Sequence, residues 1–533
     1  MATRVRARLD TFLARPVLLL IGLGMAGGST ALPAQSSLGG RYQSRGVMMD
    51  LSEGRAAFSG VGLTRSAARI RVAGDTVSID GAAFGCFAGP GTYRSLVRGD
   101  QLSLELVSDP CPGRRAVLAS VWGRVAPVLA LTGATVIDGT GAEPRPGMTV
   151  VIRDGRIAAV HPDGAEPLPA GAQVRDLTGR WILPGLIDAH VHLATDPSDG
   201  DRRDRTERRL RNALLGGVVA VRDMGGDGRA LNLLARDAAV GDIIAPVVRY
   251  SAILAGPEFF ADPRVRASSA GVEIGTAAWA RSIDSKTDLR QAMIEARGAG
   301  VTGVKLYAAL DGSTAAKISR EAKRQGLKVW SHVTLLPARP TELAAAGVEV
   351  LSHAPLLAWA AVAELPAYTS RAQIDTGIGP EHPAVSDALV RMRTRGVILE
   401  PTLWVYHIGA GVRDTAEARR RSDRARDFTR AAHRAGVRVA AGTDFIGTDV
   451  EGDLPNLHEE LVLLVQAGLS PSEALVSATR INAELLGLEA THGTVSVGKA
   501  ADLLVLEADP LADIRNTRQI SFVVHRGVVR YRQ

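Results

Sequence analysis

Cysteine is almost missing from this chain. Only Cys86 and Cys111 occur among 533 residues. They sit in FGCFAGPGTY and VSDPCPGRR, with neither a CxxC nor a Cys/His spacing. That argues against a thiolate zinc site and a CxxC redox motif. Lysine is scarce too, with six residues at 286, 305, 317, 323, 328 and 499. Aromatic residues make up 4% of the chain, so its apolar mass comes from Ala, Val and Leu. The formal charge is +7, and no long Lys/Arg block is interleaved with aromatics. This gives no case for a nucleic-acid partner. A GxSxG elbow is absent, so a serine nucleophile of that kind is not expected. The apolar run from Val17 to Met25 is too short to cross a bilayer.

That short run has another reading. Arg4, Arg6, Arg8 and Arg15 precede or enter it, and small residues follow, with cleavage points after Ala31 or Ala34. This is the form of a secretory signal peptide, assigned to residues 1–34. Its removal takes away four arginines and one aspartate, leaving a chain of about +4. No cysteine follows to carry a lipid, so no stable membrane anchor is expected after cleavage. The protein is therefore expected to be exported, periplasmic or secreted. In that oxidising setting Cys86 and Cys111 are expected to form one disulfide.

What remains is long enough for several domains. Residues 35–125 carry short β-like runs such as ARIRVAGDTVSID and DQLSLELV, punctuated by Gly, Asp and Pro. They read as a small all-β domain. Residues 126–182 alternate and turn at Asp-Gly pairs, and residues 491–533 look similar. Two strand-rich ends around a different middle predict a composite β-sandwich. The middle, 183–490, alternates apolar strands with helical stretches. Its strand candidates are ILPGLIDAHVHL, VVAVRDM, APVVRYSAIL, VTGVKLYA, LKVWSHV, VEVLSHA, GVILEPTLW and VRVAAGTDF. Eight repeats of this kind predict an α/β fold, a (β/α)8 TIM barrel, whose strands are buried on both faces.

The strand ends carry the chemistry. His190 and His192 lie two apart in GLIDAHVHL, so they project to the same side of a strand. The C-terminal ends of barrel strands are where such folds build their sites. Two imidazoles there suit a transition metal, although a satisfied core pair fits the motif alone equally well. Lys305 sits inside the apolar strand GVKLY. Burial should lower its pKa, and a neutral amine can take up carbon dioxide as a carbamate able to bridge two metals. The other reading of Lys305 is a snorkelling side chain at a strand end. KVWSHVT ends a strand at His332, VEVLSHAP ends the next at His353, and RVAAGTDF ends the eighth at Asp444.

Together these motifs resemble the amidohydrolase superfamily, near its imidazolonepropionase-like and prolidase-type members. GLIDAHVHL, GVKLY, SHVT, SHAP and AGTDF stand in that family's order, and the closing GTVSVGKAADLLVLEADPL is similar as well. The resemblance covers about residues 128–533 and leaves out the N-terminal β domain. It implies a metal-dependent hydrolase acting on carbon–nitrogen bonds, with two divalent metal ions, zinc first and manganese or cobalt as alternatives. His190, His192 and Asp444 would hold one ion, His332 and His353 the other, and Lys305 as its carbamate would bridge them. Asp444 would also be the catalytic proton carrier.

The substrate implied is a small molecule such as a dipeptide or N-acyl amino acid. A cyclic amide, lactone or ester on the same site, or an inactive binding protein, remain the alternatives. Tyr307 and Arg339 are the candidate substrate-binding residues, with Arg339 suited to clamp a carboxylate. The long connections 255–299 and 355–395 are the expected lids. Exposed barrel helices leave a homo-oligomer open.

Overall fold

The structure, a computed structural model, describes residues 38–532 apart from 45–46, 53, 61–62, 81–87, 99–100, 125–127, 195–201, 369–375, 414 and 446. The signal segment and Cys86 lie outside the described residues. Cys111 is disulfide-bonded.

The first domain is a closed antiparallel barrel of eight strands, from Gly40–Ser44 to Val121–Arg124. Its first and last strands pair, with Tyr42 opposite Arg124. Alternate residues point inward, as the pleat requires, and Met49, Phe58, Tyr93 and Trp122 fill a core separate from the rest of the molecule. Beside that core, buried Asp109 accepts hydrogen bonds from Arg114 Nε (2.7 Å), the Cys111 backbone N–H (2.8 Å) and the Tyr93 hydroxyl.

The flanking segments join as expected but in one eight-stranded sheet. Val128–Val136 and Trp181–Pro184 come from before the α/β region, and Leu503–Leu506 and Ile520–His525 from after it. Trp181–Pro184 pairs with both sides of that division. The strands of the predicted composite β-sandwich are thus linked in one continuous hydrogen-bonded order. Leu131, Val150, Ile182, Val505 and Phe522 form its own apolar core.

The middle holds parallel strands β1 (Leu186–Val191), β2 (Val218–Asp223), β3 (Val247–Ala255), β4 (Gly303–Leu306), β5 (Lys328–His332), β6 (Val350–Ser352) and β7 (Ile398–Glu400). They bond in that order. Helices such as Gly228–Val240 and Gly312–Arg324 connect them, N-capped by Asp227 and Asp311. The eighth predicted strand is not continuous. Its Val439 bridges Leu399 of β7, and its Phe445 bridges Val191 of β1. The Asp444 N–H donates to the His190 carbonyl at 2.8 Å. Segment 438–445 therefore bonds to both edge strands of the parallel sheet. Regular strand geometry fails there for a local reason: Asp444 takes φ +53°. A Cβ on Gly442 would come within 2.8 Å of the His190 Cβ, so only glycine allows this approach. No helix among the described residues is long and apolar enough to cross a membrane.

Candidate active site

β1 carries His190 near its C-terminal end, and His192 follows the strand directly at the edge of a cavity. His190 Nε2 lies 3.2 Å and His192 Nε2 2.9 Å from the same oxygen, Asp444 Oδ1. His353 Nδ1 lies 3.7 Å from the other oxygen, Oδ2. His190, His353 and Asp444 each offer a ligand atom, and these atoms lie within 4.8 Å of one another. Lys305 Nζ stands 3.3 Å from His190 Nε2. The His332 ring is 4.6 Å from the His353 ring. The six residues expected from strand ends are thus brought to one place, around a cavity of about 310 Å³ lined by five of them, with His190 behind.

Backbone strain accompanies this convergence. His353 adopts φ +80°, and Thr402 and Asp444 adopt φ +53° each. Non-glycine residues hold such angles only where surrounding contacts over-determine them, and they concentrate at functional sites. Here the Thr402 Oγ1 lies 2.9 Å from His353 Nδ1 and fixes that ring.

The electrostatics follow from burial. Lys305 is fully buried, and desolvation lowers its pKa to about 8, with Asp444 and Glu400 opposing. Part of the population then carries a neutral amine near pH 7. Burial keeps His353 neutral down to about pH 3 and pushes His332 well below its ordinary value. Burial would raise Asp444, yet His190 and His192 hold it well below the ordinary carboxylate value. His332 and His353 are therefore neutral imidazoles beside one ionised carboxylate, while for His190 burial is outweighed by Asp444 and Glu400, which raise its pKa.

Sequence reasoning missed Glu400. It ends β7 within the apolar run GVILEP, fully buried, and its Oε2 lies 2.7 Å from His190 Nδ1. Ser352 Oγ donates to that oxygen at 2.8 Å, and Arg222 Nη2 donates to Oε1 at 2.6 Å. Burial opposes its charge, but Arg222 and His190 hold its pKa down to about 2. The Arg222 guanidinium lies 4.4 Å over the Trp330 ring and its Nε donates to the Ala189 carbonyl at 2.6 Å. Glu400 thereby holds Nδ1 as a donor and fixes the ring with Nε2 directed at Asp444. The signal was a carboxylate at a strand's C-terminal end, as at Asp444. A second brace is Asp188. Its Oδ1 accepts the N–H groups of His190 and Thr443 at 3.1 Å each, and its Oδ2 accepts from Thr443 Oγ1 at 2.8 Å.

Of the two substrate candidates, Tyr307 lines the cavity, its ring 4.2 Å from His332. Arg339 is placed otherwise. Its guanidinium donates to the carbonyls of Val362 (2.7 Å) and Ala363 (2.8 Å), and it does not line the cavity. These contacts make it a strut for the loop after β6. His458 is also remote from the cavity, between Thr517 Oγ1 and the Gly216 carbonyl. Of the expected lids, 255–299 contributes Phe259, Val265 and Ser268 to the lining, from Pro257–Ala261 and Pro263–Ser268.

With this geometry in hand, comparison decides the family. Residues 181–530 match the profile described as the Amidohydrolase family. The chain belongs to the amidohydrolase family. It is accordingly a hydrolase of carbon–nitrogen bonds. An imidazolonepropionase of Maricaulis maris is 29% identical over 392 residues, covering 68% of this chain and 88% of that protein. An adenine deaminase of Paracoccus denitrificans is 41% identical over only 71 residues, 13% of this chain and 12% of that protein. Among solved structures, a Xaa-Pro dipeptidase with bound methionine in its active site has a TM-score of 0.61 at 19% identity, covering 76% of this chain and 100% of that one. A molinate hydrolase has the same TM-score at 21% identity, covering 76% and 95%. At these identities the two structures are likenesses of fold.

Proposed function

We propose that this amidohydrolase is an exported, binuclear metal-dependent enzyme that cleaves an amide or peptide-like bond in a small substrate such as a dipeptide or N-acyl amino acid. One observation carries the reading: four imidazoles, a low-pKa carboxylate and a buried lysine meet at one cavity. The donor set fits divalent ions. His190 is oriented by Glu400 with Nε2 toward Asp444, His353 and His332 are neutral, and Asp444 is ionised. His190, His192 and Asp444 would hold one ion and His332 and His353 the other, with the Lys305 carbamate between them, zinc being the first choice. Such ions supply a Lewis acid and a water of pKa about 7.

The chain's own residues supply the rest. Asp444 accepts a proton at Oδ1 or Oδ2 and returns it to the leaving amine. Its anionic form suits the first half of that task. Tyr307 stands beside His332, where its hydroxyl can orient a substrate carbonyl. The arginine-rich leader, whose apolar run is followed by small residues, supports export. Relatives matched over most of their length are named imidazolonepropionase, which favours a cyclic amide as the second reading.

The test is amine release from a panel of dipeptides and N-acyl amino acids, with zinc or manganese and bicarbonate supplied. Release that falls by about 100-fold or more in Lys305→Ala is expected. Full activity in that variant would remove the bridging role. No release across the panel would move the search to cyclic amides, lactones and esters.

A further inference from the structure

A file of rings leads away from the histidine cluster. His353 and His332 are 4.6 Å apart, His332 and Tyr307 4.2 Å, Tyr307 and Phe259 4.4 Å, and Phe259 and Tyr368 6.2 Å between centroids. Ile253 and Val265 complete this side of the cavity. With Phe259 and Tyr307 they form a small apolar cluster separate from the main core. Its packing leaves no slack. A Cβ on Gly225, which has φ +142°, would meet Ile253 Cδ1 at 2.4 Å.

The charge pattern agrees with that wall. Among the described residues that line the cavity, the cationic side chain is Lys305, and it faces His190. Arg339 is engaged by loop carbonyls. A carboxylate pressed against Phe259 would be buried without a partner, which is strongly unfavourable, whereas an aryl or branched alkyl group would lose water at a matching surface.

We infer that the part of the substrate seated against Phe259 and Tyr307 is an uncharged aromatic or branched aliphatic group, and that Phe259 determines this selectivity. The inference rests on the amidohydrolase reading for the bond that is cut, but not for the binding itself. Phe259 comes from the turn Pro257–Ala261 directly after β3, so a connection that lines the cavity also selects the substrate.

Two measurements test it separately from that reading. The first is equilibrium binding to the full-length protein. Phenylacetamide should bind saturably, and acetamide and 4-carboxyphenylacetamide about tenfold or more weakly. Phe259→Ala should remove the preference and Phe259→Leu retain part of it, which separates lost selectivity from lost folding. Equal binding of all three amides, or a preference unchanged in Phe259→Ala, overturns the inference. The second is kcat/KM for N-phenylacetylglycine against N-acetylglycine, which reads the acyl side, and for N-benzylacetamide against N-methylacetamide, which reads the amine side. A preference of about tenfold on one side that collapses in Phe259→Ala is expected. Cleavage without preference on either side overturns the inference while leaving the hydrolase reading intact. Selective binding with no cleavage supports the inference and contradicts the proposed dipeptide or N-acyl amino acid substrate.

Discussion

His190 has two jobs, and Glu400 separates them. Its Nδ1 is tied to Glu400 at 2.7 Å, which leaves Nε2 for Asp444 and for a cation. Removing the tie frees the ring to turn and to change tautomer. Glu400→Ala should therefore weaken metal affinity by about 10- to 100-fold, measured by competition with a chromophoric chelator, and Glu400→Gln should recover part of it. An unchanged affinity in Glu400→Ala would assign the residue to stability alone. His458 gives a pH test away from the cavity. Burial lowers its folded pKa to about 4, against 6.5 in an unfolded chain. The unfolded state then binds the extra proton between those values, so stability is whole above pH 6.5 and falls as the pH drops to 4. The term is on the order of 3 kcal/mol. Urea midpoints for His458→Gln should depend less on pH across that window than those of the parent. Parallel curves would contradict the assignment. At this scale the ligands were legible because each ends an apolar run. Glu400 was not, because ILEP reads as strand and its partners Arg222 and Ser352 come from distant strands.

The connections between strands carry what single residues cannot. Arg339 N-caps the helix Pro340–Ala345, and its guanidinium reaches across to Val362 and Ala363. Arg339→Ala should speed amide hydrogen exchange in 354–363. It should change the KM for an N-acyl amino acid by no more than about threefold, since the side chain lies outside the cavity. A larger rise in KM confined to carboxylate-bearing substrates would restore the clamp. The sequence pattern showed a loop arginine next to a strand-end histidine. The carbonyls that capture it depend on the turn Ala354–Ala360, which tertiary packing sets. The eighth strand shows a similar limit. Its apolar run is plain, yet Gly442 and the left-handed Asp444 trade ladder regularity for a close approach to His190. Thr443 holds that approach through Asp188. Thr443→Val leaves the buried Oδ2 of Asp188 without this donor and should cost about 1–3 kcal/mol in chemical denaturation.

Among the described residues three large cores stand beside the small cluster at the cavity: the N-terminal barrel, the composite sheet and the α/β body. The first has its own buried ion pair and a disulfide-bonded Cys111. Reduction should lower the stability of that barrel by about 2–4 kcal/mol while leaving hydrolysis unchanged, read as a shift in one calorimetric transition. Loss of activity in parallel would mean that the barrel supports the site. At this scale the α/β repeat and the composite of both flanks were legible, because strand-rich ends bracket an alternating middle. Barrel closure in the first domain and the strand order of the composite were not, since periodicity gives strands without their pairing order. The central claim is that the strand-end cluster works as a metal centre. The most direct measurement is metal content against activity during stepwise reloading of chelated protein. The account predicts hydrolysis that rises with divalent metal and saturates near two ions per chain, with Lys305→Ala failing to hold the second. Activity that persists with fewer than about one ion per chain would contradict it.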